Sequence, residues 1–244
     1  PFGGVDGHYR FTVVVTRKVA GAPAEVNLII ENVKPRVWLE GKLDLGKRAQ
    51  LRERFEKAGQ KRGGDDESID ADPAPKWQDA EWDRVLQATA FIPDAMLSRV
   101  PGVVWTRGSG PSHTKEAGLY EEKPTGGGKP PKRTLTLYSN AFSSDGELVW
   151  TVVHEFGHGR DFAGATAISG TSAWHTAALG TLGKGVTDYG RTAWQENYAD
   201  SYAMFVAEPE TMKLVRPELY AWFAKQQKDE EDAAAARAKA GATK

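Results

Sequence analysis

The sequence predicts an α+β fold in which a small mixed sheet, a long apolar helix and a helical C-terminal part follow a small β-rich segment. Short runs rich in Val, Ile and Thr, bounded by Gly or Pro, are typical of strands and occur upstream of Ser144. Apolar residues at helical spacing recur downstream of it. A chain of 244 residues that is 40% hydrophobic is also large enough to bury a sizeable core.

The composition excludes several classes of protein. The chain has no Cys, so disulfide scaffolds and Cys-ligated metal sites are impossible. Its 32 Lys and Arg nearly balance 33 Asp and Glu, whereas generic nucleic-acid binding needs an excess of positive charge. The apolar runs fall far short of the about 18 residues needed to cross a bilayer. We therefore expect no nucleic-acid partner and no membrane span.

Residues 1–62 are predicted to form a β-rich N-terminal segment with one charged helix. Strand-like runs cover Tyr9 to Val19 and Glu25 to Leu45, and a helix is expected from Lys47 to Lys61. The helix carries many charges and few apolar residues, which favours a solvated face over a nucleic-acid patch. Residues 63–76 combine Gly, Pro and acidic residues and are predicted to be a linker.

Residues 77–227 are predicted to form the main domain. Two helices are expected at its start, one around Trp82 to Thr89 and one after Pro93. Three strand candidates follow, at Val103 to Arg107, Gly118 to Glu122 and Arg133 to Tyr138. The tail, residues 228–244, has no large apolar residue and is expected to be disordered or to form a frayed helix.

The segment LVWTVVHEFGHGRDF places His154 and His158 four residues apart with Glu155 between them. Ser144 and Glu147 form a capping-box pattern, which predicts a helix that begins near Ser144. At about 100° per residue, both imidazoles lie on one face of that helix. They can then bind one Zn²⁺, and Glu155 can reach a water molecule on the metal. The alternative is a pair of core histidines that make only hydrogen bonds.

A catalytic zinc site needs a third protein ligand. Downstream, Thr192 and Gln195 form a second capping-box pattern, which predicts a helix from about Thr192 to Ala207. Glu196 and Asp200 share one face of this helix. Glu196 is placed to bind the metal, and Asp200 is placed to accept the second ring N–H of a ligand histidine. The alternative is two solvated acids on a helix.

The sequence resembles the gluzincin metallopeptidases, in which HExxH is followed by a helix carrying ExxxD, matched here by Glu196 and Asp200. Within that class it is most similar to the lethal-factor-like and Pro-Pro endopeptidase group of bacterial toxin metallopeptidases. This narrower likeness depends on HEFGH, on ENYADSYAMF and on Tyr189, seven residues before Glu196. The resemblance covers roughly Trp77 to Gln227. It implies a zincin-like fold, one catalytic zinc ion and a Tyr189 phenol that donates to the tetrahedral oxyanion.

Further candidates concern the substrate. Zincins bind peptides along an exposed edge strand, and Arg133 to Phe142 is the expected strand here. Tyr138, Asn140 and Ala141 on this stretch are therefore candidate substrate contacts. His175, in the segment SAWHTAAL, is a candidate rival ligand or a donor to the oxyanion.

Together these residues predict a zinc-dependent endopeptidase acting on a protein or peptide substrate. His154, His158 and Glu196 would hold the zinc ion. Glu155 would take the proton of the activated water and pass it to the leaving amine. The alternative is a catalytically inactive zincin-fold module that only binds, with the N-terminal β segment carrying recognition.

The expected location also follows from the resemblance. Toxin metallopeptidases of this group are secreted, which leads us to expect a bacterial protease that is secreted or delivered out of the cell. The chain opens at Pro1 without an initiator Met and without a signal-peptide pattern. We therefore expect it to be trimmed from a longer precursor or to belong to a larger polypeptide or delivery system.

Overall fold

The computed structural model of the protein describes residues 10–16, 25–31, 34–63, 76–108 and 116–241. Its strands are, in chain order, β1 (Arg10–Thr16), β2 (Glu25–Glu31), β3 (Lys61–Arg62), β4 (Val103–Arg107), β5 (Gly118–Lys123) and β6 (Lys132–Leu137). Its α-helices are α1 (Leu45–Lys57), α2 (Asp79–Thr89), α3 (Asp94–Leu97), α4 (Asp145–Asp161), α5 (Ser172–Ala177), α6 (Trp194–Ala207), α7 (Pro209–Val215) and α8 (Pro217–Gly241). This content confirms the predicted α+β class. None of the described helices is both long enough and apolar enough to cross a membrane.

Four strands form a mixed sheet in the order β3-β4-β6-β5. Strands β3, β4 and β6 run parallel, and β5 pairs antiparallel with β6. Strands β1 and β2 pair antiparallel in a separate two-stranded sheet. The predicted run from Glu25 to Leu45 is too long, because the strand ends at Glu31 and residues 34–44 form no strand. Pro35, which cannot donate to a strand ladder, lies in this stretch.

The predicted edge strand, Arg133 to Phe142, is wrong. Strand β6 lies between β4 and β5, and its main chain pairs on both sides. Leu135 and Leu137 of this strand alternate with Thr134 and Thr136 in the sequence, and both leucines are buried. Alternation of this kind marks any strand with one covered face, so it does not separate an interior strand from an edge strand. Beside the site described below, the edge of the sheet is β5.

Helix α4 is central to the fold and packs against α6, α2 and β5. It begins where predicted, because the side chain of Ser144 accepts a hydrogen bond from the Glu147 N–H at 3.0 Å. Its apolar face lies in the core and consists of Leu148, Val149, Val152, Val153 and Phe156. The side of α4 that carries His154 and His158 therefore belongs to a helix that is anchored in the core along most of its length.

Residues 34–63 pack into the same hydrophobic core as the residues that follow position 76. Phe55 of α1 is buried against the rings of Trp82 and Trp105, at centroid distances of 5.3 and 5.5 Å. Strand β3 forms one end of the four-stranded sheet, and the Gly63 N–H donates to the Trp105 carbonyl at 2.7 Å. Helix α1 ends at Lys57, earlier than predicted. Most of the predicted linker, residues 64–75, lies outside the described residues.

The tail, residues 228–244, was expected to be disordered or frayed, but α8 continues as far as Gly241. Ion pairs at i,i+4 spacing lie on its exposed side: Lys225–Asp229 and Lys228–Asp232. The anchoring contact is electrostatic, because Glu230 accepts a hydrogen bond at 2.7 Å from the guanidinium of Arg160, which is buried on α4. Composition gave no sign of this anchor, since the tail has no large apolar residue.

Replacing Glu230 with Ala should lower the free energy of unfolding by about 2 kcal/mol, because it leaves the buried Arg160 charge without its carboxylate partner. Urea unfolding followed by circular dichroism measures the change. The matched control is Asp232→Ala, which removes an exposed pair with Lys228 and should have no measurable effect. Equal effects of the two substitutions would show that Glu230 does not anchor the tail.

Candidate metal centre

Helices α4 and α6 bring three potential metal ligands together. The Nε2 atoms of His154 and His158 lie 3.2 Å apart. The Glu196 Oε2 atom lies 3.2 Å from the first and 3.3 Å from the second. Metal–ligand bonds of about 2.0–2.1 Å in a tetrahedral site place the ligand atoms about 3.3 Å from one another. The three residues can therefore hold a metal ion.

The polar atoms of this cluster are poorly satisfied by one another, which is a second sign of an ion site. Glu196 Oε2 is buried and makes no well-formed hydrogen bond to the other described residues. The Nε2 atoms of His154 and His158 face each other, so a hydrogen bond between them needs a proton on one of the two nitrogens. A nitrogen that carries this proton cannot bind a metal ion. A cation among the three atoms would satisfy all of them.

Asp200 holds the other side of the His154 ring. Its Oδ1 atom lies 2.7 Å from His154 Nδ1, and Asp200 is fully buried one turn after Glu196. This contact favours the tautomer with the proton on Nδ1, which leaves Nε2 free to bind a metal. Burial alone would lower the pKa of His154, but the charge and hydrogen bond of Asp200 raise it well above its ordinary value.

The two histidines also control the ionisation of Glu196. Burial alone would raise the pKa of this carboxyl, but the adjacent His154 and His158 lower it to about 2. Glu196 is therefore ionised at neutral pH, as a metal ligand must be.

Glu155 lies beside the cluster and against the edge strand. It is buried, and burial raises its pKa, although the neighbouring histidines oppose the shift. The Tyr120 backbone of β5 provides a hydrogen bond to its carboxylate. A Cβ atom at Gly118 would lie 2.5 Å from Glu155 Cγ and 2.8 Å from Oε1. The absence of a side chain at Gly118 therefore allows Glu155 to lie against β5.

Tyr189 lies beside the cluster, in a 3-10 turn formed by Tyr189–Arg191. The residue is 58% exposed, and its ring centroid lies 5.9 Å from that of His154. Burial, followed by the charges of Glu196 and Glu155, raises the pKa of its phenol to about 12. Tyr189 is therefore a protonated O–H donor at neutral pH.

The predicted capping box at Thr192 and Gln195 is wrong. Helix α6 begins at Trp194, and Ala193 occupies the N-cap position without a side-chain hydrogen bond. The Thr192 hydroxyl instead donates to the Tyr189 carbonyl at 2.7 Å. The 3-10 turn before the helix competes for this hydroxyl, which the sequence pattern could not indicate.

A cavity of about 770 Å³ opens over the cluster. Helix α4 provides one wall, β5 and the Thr187–Tyr189 segment provide others, and Lys34 pairs with Glu147 at its rim. Apolar lining comes from Leu119, Trp150 and Phe162. The cavity is thus large enough for a ligand of several residues and mixes apolar walls with a few converging polar groups.

Four other predicted site residues do not line this cavity. Ala141 is buried, and Asn140 reaches the Glu116 carbonyl at 3.4 Å from the 3-10 turn Ser139–Phe142. Tyr138 precedes the same turn, where the chain leaves interior strand β6. His175 stacks on Trp194 at 4.1 Å and contacts a backbone carbonyl. Their predicted substrate and ligand roles therefore have no support in the geometry.

Residues that sequence reasoning missed supply much of the cavity instead. Gly118 and Tyr120 of β5 contact Glu155, and Thr187 contacts Asp200. Gly118 opens β5, and a glycine that bounds a strand is ordinary, so it carried no signal of the approach to Glu155. Thr187 carried none, because its partners are distant or belong to an irregular turn.

Zinc should bind the protein at a ratio near one, with an affinity that increases with pH. In the metal-free protein the raised pKa of His154 retains a proton that zinc must displace, so affinity should fall as pH drops below that pKa. Competition with a chromophoric chelator across pH measures this. Glu196→Gln should weaken binding at least about tenfold. Glu210→Gln, which alters an exposed acid of α7, is the control and should leave affinity unchanged.

Comparisons with known proteins assign this chain to no family. No protein-family model matches the sequence, and curated proteins gave no significant match. The resemblance to gluzincin peptidases stays a prediction carried by the motifs, while the cluster, Glu155 and Tyr189 are arranged around one cavity.

Proposed function

We propose that the protein is a zinc-dependent endopeptidase. The observation that carries this proposal is the triangle of His154 Nε2, His158 Nε2 and Glu196 Oε2 with edges of 3.2 to 3.3 Å. Buried Glu155 adjoins this triangle and the cavity opens above it. Three protein ligands with an accessible remaining position are typical of catalytic zinc, whereas structural zinc is closed by four protein ligands.

His154, His158 and Glu196 would hold the ion, with Asp200 orienting the His154 ring. A bound zinc ion supplies Lewis acidity, which lowers the pKa of water and polarises a carbonyl group. Each of the chain's own groups then has a distinct part in peptide hydrolysis.

Glu155 is the proposed general base. It has no place among the three ligand atoms, so its buried carboxylate is available for proton transfer. Burial raises its pKa, which brings the group closer to the operating pH of a general acid and base. It would accept a proton from the attacking water and deliver the proton to the leaving amine.

Tyr189 is the proposed oxyanion donor. Its phenol remains protonated at neutral pH because its pKa is raised to about 12, and it lines the cavity beside His154. A hydrogen bond to the substrate carbonyl oxygen would strengthen as negative charge develops on that oxygen. This interaction would stabilise the transition state more than the bound substrate.

The proposed substrate is an extended peptide that pairs with β5. Within the described sheet this strand pairs only with β6, and it lines the cavity from Gly118 to Tyr120. Main-chain pairing with an edge strand provides affinity without regard to sequence. The apolar walls at Leu119, Trp150 and Phe162 would then contact substrate side chains. Secretion or delivery from a bacterial cell belongs to the same proposal and is supported by the motif resemblance alone.

Glu155→Gln should retain zinc but lose about 10² to 10⁴ in kcat, because it removes the proton acceptor and no metal ligand. Tyr189→Phe should cost about 10² to 10³ in kcat. Cleavage of a peptide library by mass spectrometry, with metal content measured on the same samples, tests both. The control is Glu210→Gln on α7, which should cleave at the wild-type rate. A zinc-loaded wild type that cleaves no peptide would favour the inactive binding module.

Gly118→Ala should lower kcat at least about tenfold with zinc content unchanged, because the new methyl group displaces the Glu155 carboxylate. The same peptide assay and metal measurement apply. Gly41→Ala is the control, since a Cβ atom there has no neighbour within 4 Å. Wild-type kcat in Gly118→Ala would show that contact with β5 does not place Glu155.

A further inference from the structure

A buried threonine joins the Tyr189 turn to the His154–Asp200 pair. The Thr187 hydroxyl donates to Asp200 Oδ2, while Asp200 Oδ1 contacts His154 Nδ1 at 2.7 Å. The same hydroxyl accepts a hydrogen bond from the Gly190 N–H at 2.9 Å. Thr187 is 8% exposed, so water does not readily replace these bonds. One hydroxyl therefore contacts both the orienting carboxylate and the residue that follows Tyr189.

The backbone around the Tyr189 turn is tightly packed at two glycines. A Cβ atom at Gly190 would lie 3.0 Å from Asp200 Oδ2 and 3.3 Å from Thr187 Oγ1. A Cβ atom at Gly185 would lie 2.8 Å from the Gly190 carbonyl oxygen. The absence of side chains at these two glycines thus allows the turn to pack closely against Asp200 and the Thr187 hydroxyl.

The backbone of Tyr189 is held on both sides. Its carbonyl accepts a hydrogen bond from the Thr192 hydroxyl, and the next peptide N–H, that of Gly190, is bound to Thr187. The Tyr189 side chain itself is more than half exposed, so packing does little to orient it. These backbone bonds therefore fix the Tyr189 main chain, from which the side chain reaches the cavity.

We propose that Thr187 is a positioning residue that places the Tyr189 phenol relative to the metal cluster by linking the Tyr189 turn to Asp200. This inference depends on the proposed function, in which Tyr189 donates to the oxyanion. The hydroxyl donates to Asp200 and accepts from Gly190 through the same oxygen. Serine retains this ability, whereas valine keeps the shape of threonine and removes both hydrogen bonds.

A competing explanation is that Thr187 acts through Asp200 on His154 and hence on metal binding. Thr187 and His154 contact different oxygens of Asp200, so loss of the hydroxyl leaves the His154 contact in place. The proposal therefore expects a change in kcat with zinc affinity and KM preserved, while the competing explanation expects lost zinc affinity.

The experiment compares Thr187→Val, Thr187→Ser, Tyr189→Phe and the Thr187→Val/Tyr189→Phe double variant of the full chain. Zinc affinity, kcat and KM are measured on a cleaved library peptide, and hydrogen exchange is followed at the Gly190 amide. Thr187→Val should lower kcat at least about tenfold, but by no more than the 10² to 10³ that loss of the donor itself costs. Thr187→Ser should restore activity, and Thr187→Val should add nothing in the Tyr189→Phe background. The Gly190 amide should exchange faster only where the hydroxyl is lost.

Equal fold losses from Thr187→Val in both backgrounds would overturn the proposal, and so would activity that excess zinc restores. If Thr187→Val does not fold, Thr187→Ala removes the same hydroxyl without added bulk and decides in its place. A zinc-loaded wild type that cleaves nothing would sink the proposed function alone. Exchange at Gly190 would still decide whether Thr187 holds the turn, since unchanged exchange in the hydroxyl-free variant contradicts the link.

Discussion

Helices α4 and α6 approach each other closely at Gly157, which lies between the two candidate histidine ligands. A Cβ atom there would lie 3.1 Å from Ala199 Cα and 3.2 Å from the Tyr202 ring. Glycine in a helix interior costs about 1 kcal/mol relative to alanine, so its presence in α4 requires compensation. The compensation is that α6 comes near enough for Glu196 to meet both imidazoles. Both contacts between Glu196 and the imidazoles depend on this approach.

Several ionisable side chains are buried along α4. Glu155, Arg160 and Asp161 are all buried on this helix, and a buried charge without a partner is costly. Each takes its partner from a different part of the chain. Glu155 is bound by the β5 backbone, Arg160 by Glu230 of α8, and Asp161 by the hydroxyl and N–H of Ser169 at 2.6 Å. These contacts fix the helix from several sides, which is what a site of defined geometry requires.

Spacings within one helix could be predicted from sequence, whereas the order of the strands and the N-cap of α6 could not. The Ser144 cap and the face shared by His154 and His158 depend on spacing within one helix, so periodicity was sufficient. The position of β6 inside the sheet depends on which strands pair with it, and its alternation is the same at an edge. The extent of the helical tail could not be predicted for a related reason. Its anchor, Glu230, is indistinguishable from the neighbouring acids until Arg160 is known to lie beside it.

The same distinction separates metal binding from catalysis. His154, His158 and Glu196 come together through one helical spacing and one contact between helices, which is sufficient for a cluster that could hold a metal ion. The positions of Glu155 and Tyr189 depend on Gly118 and Thr187, which belong to no spacing pattern. A chain could keep all three ligands and lose turnover through a change at Gly118 or Thr187. If the protein is the peptidase proposed above, the difference between it and an inactive metal-binding module lies in the residues that place the acid and the phenol.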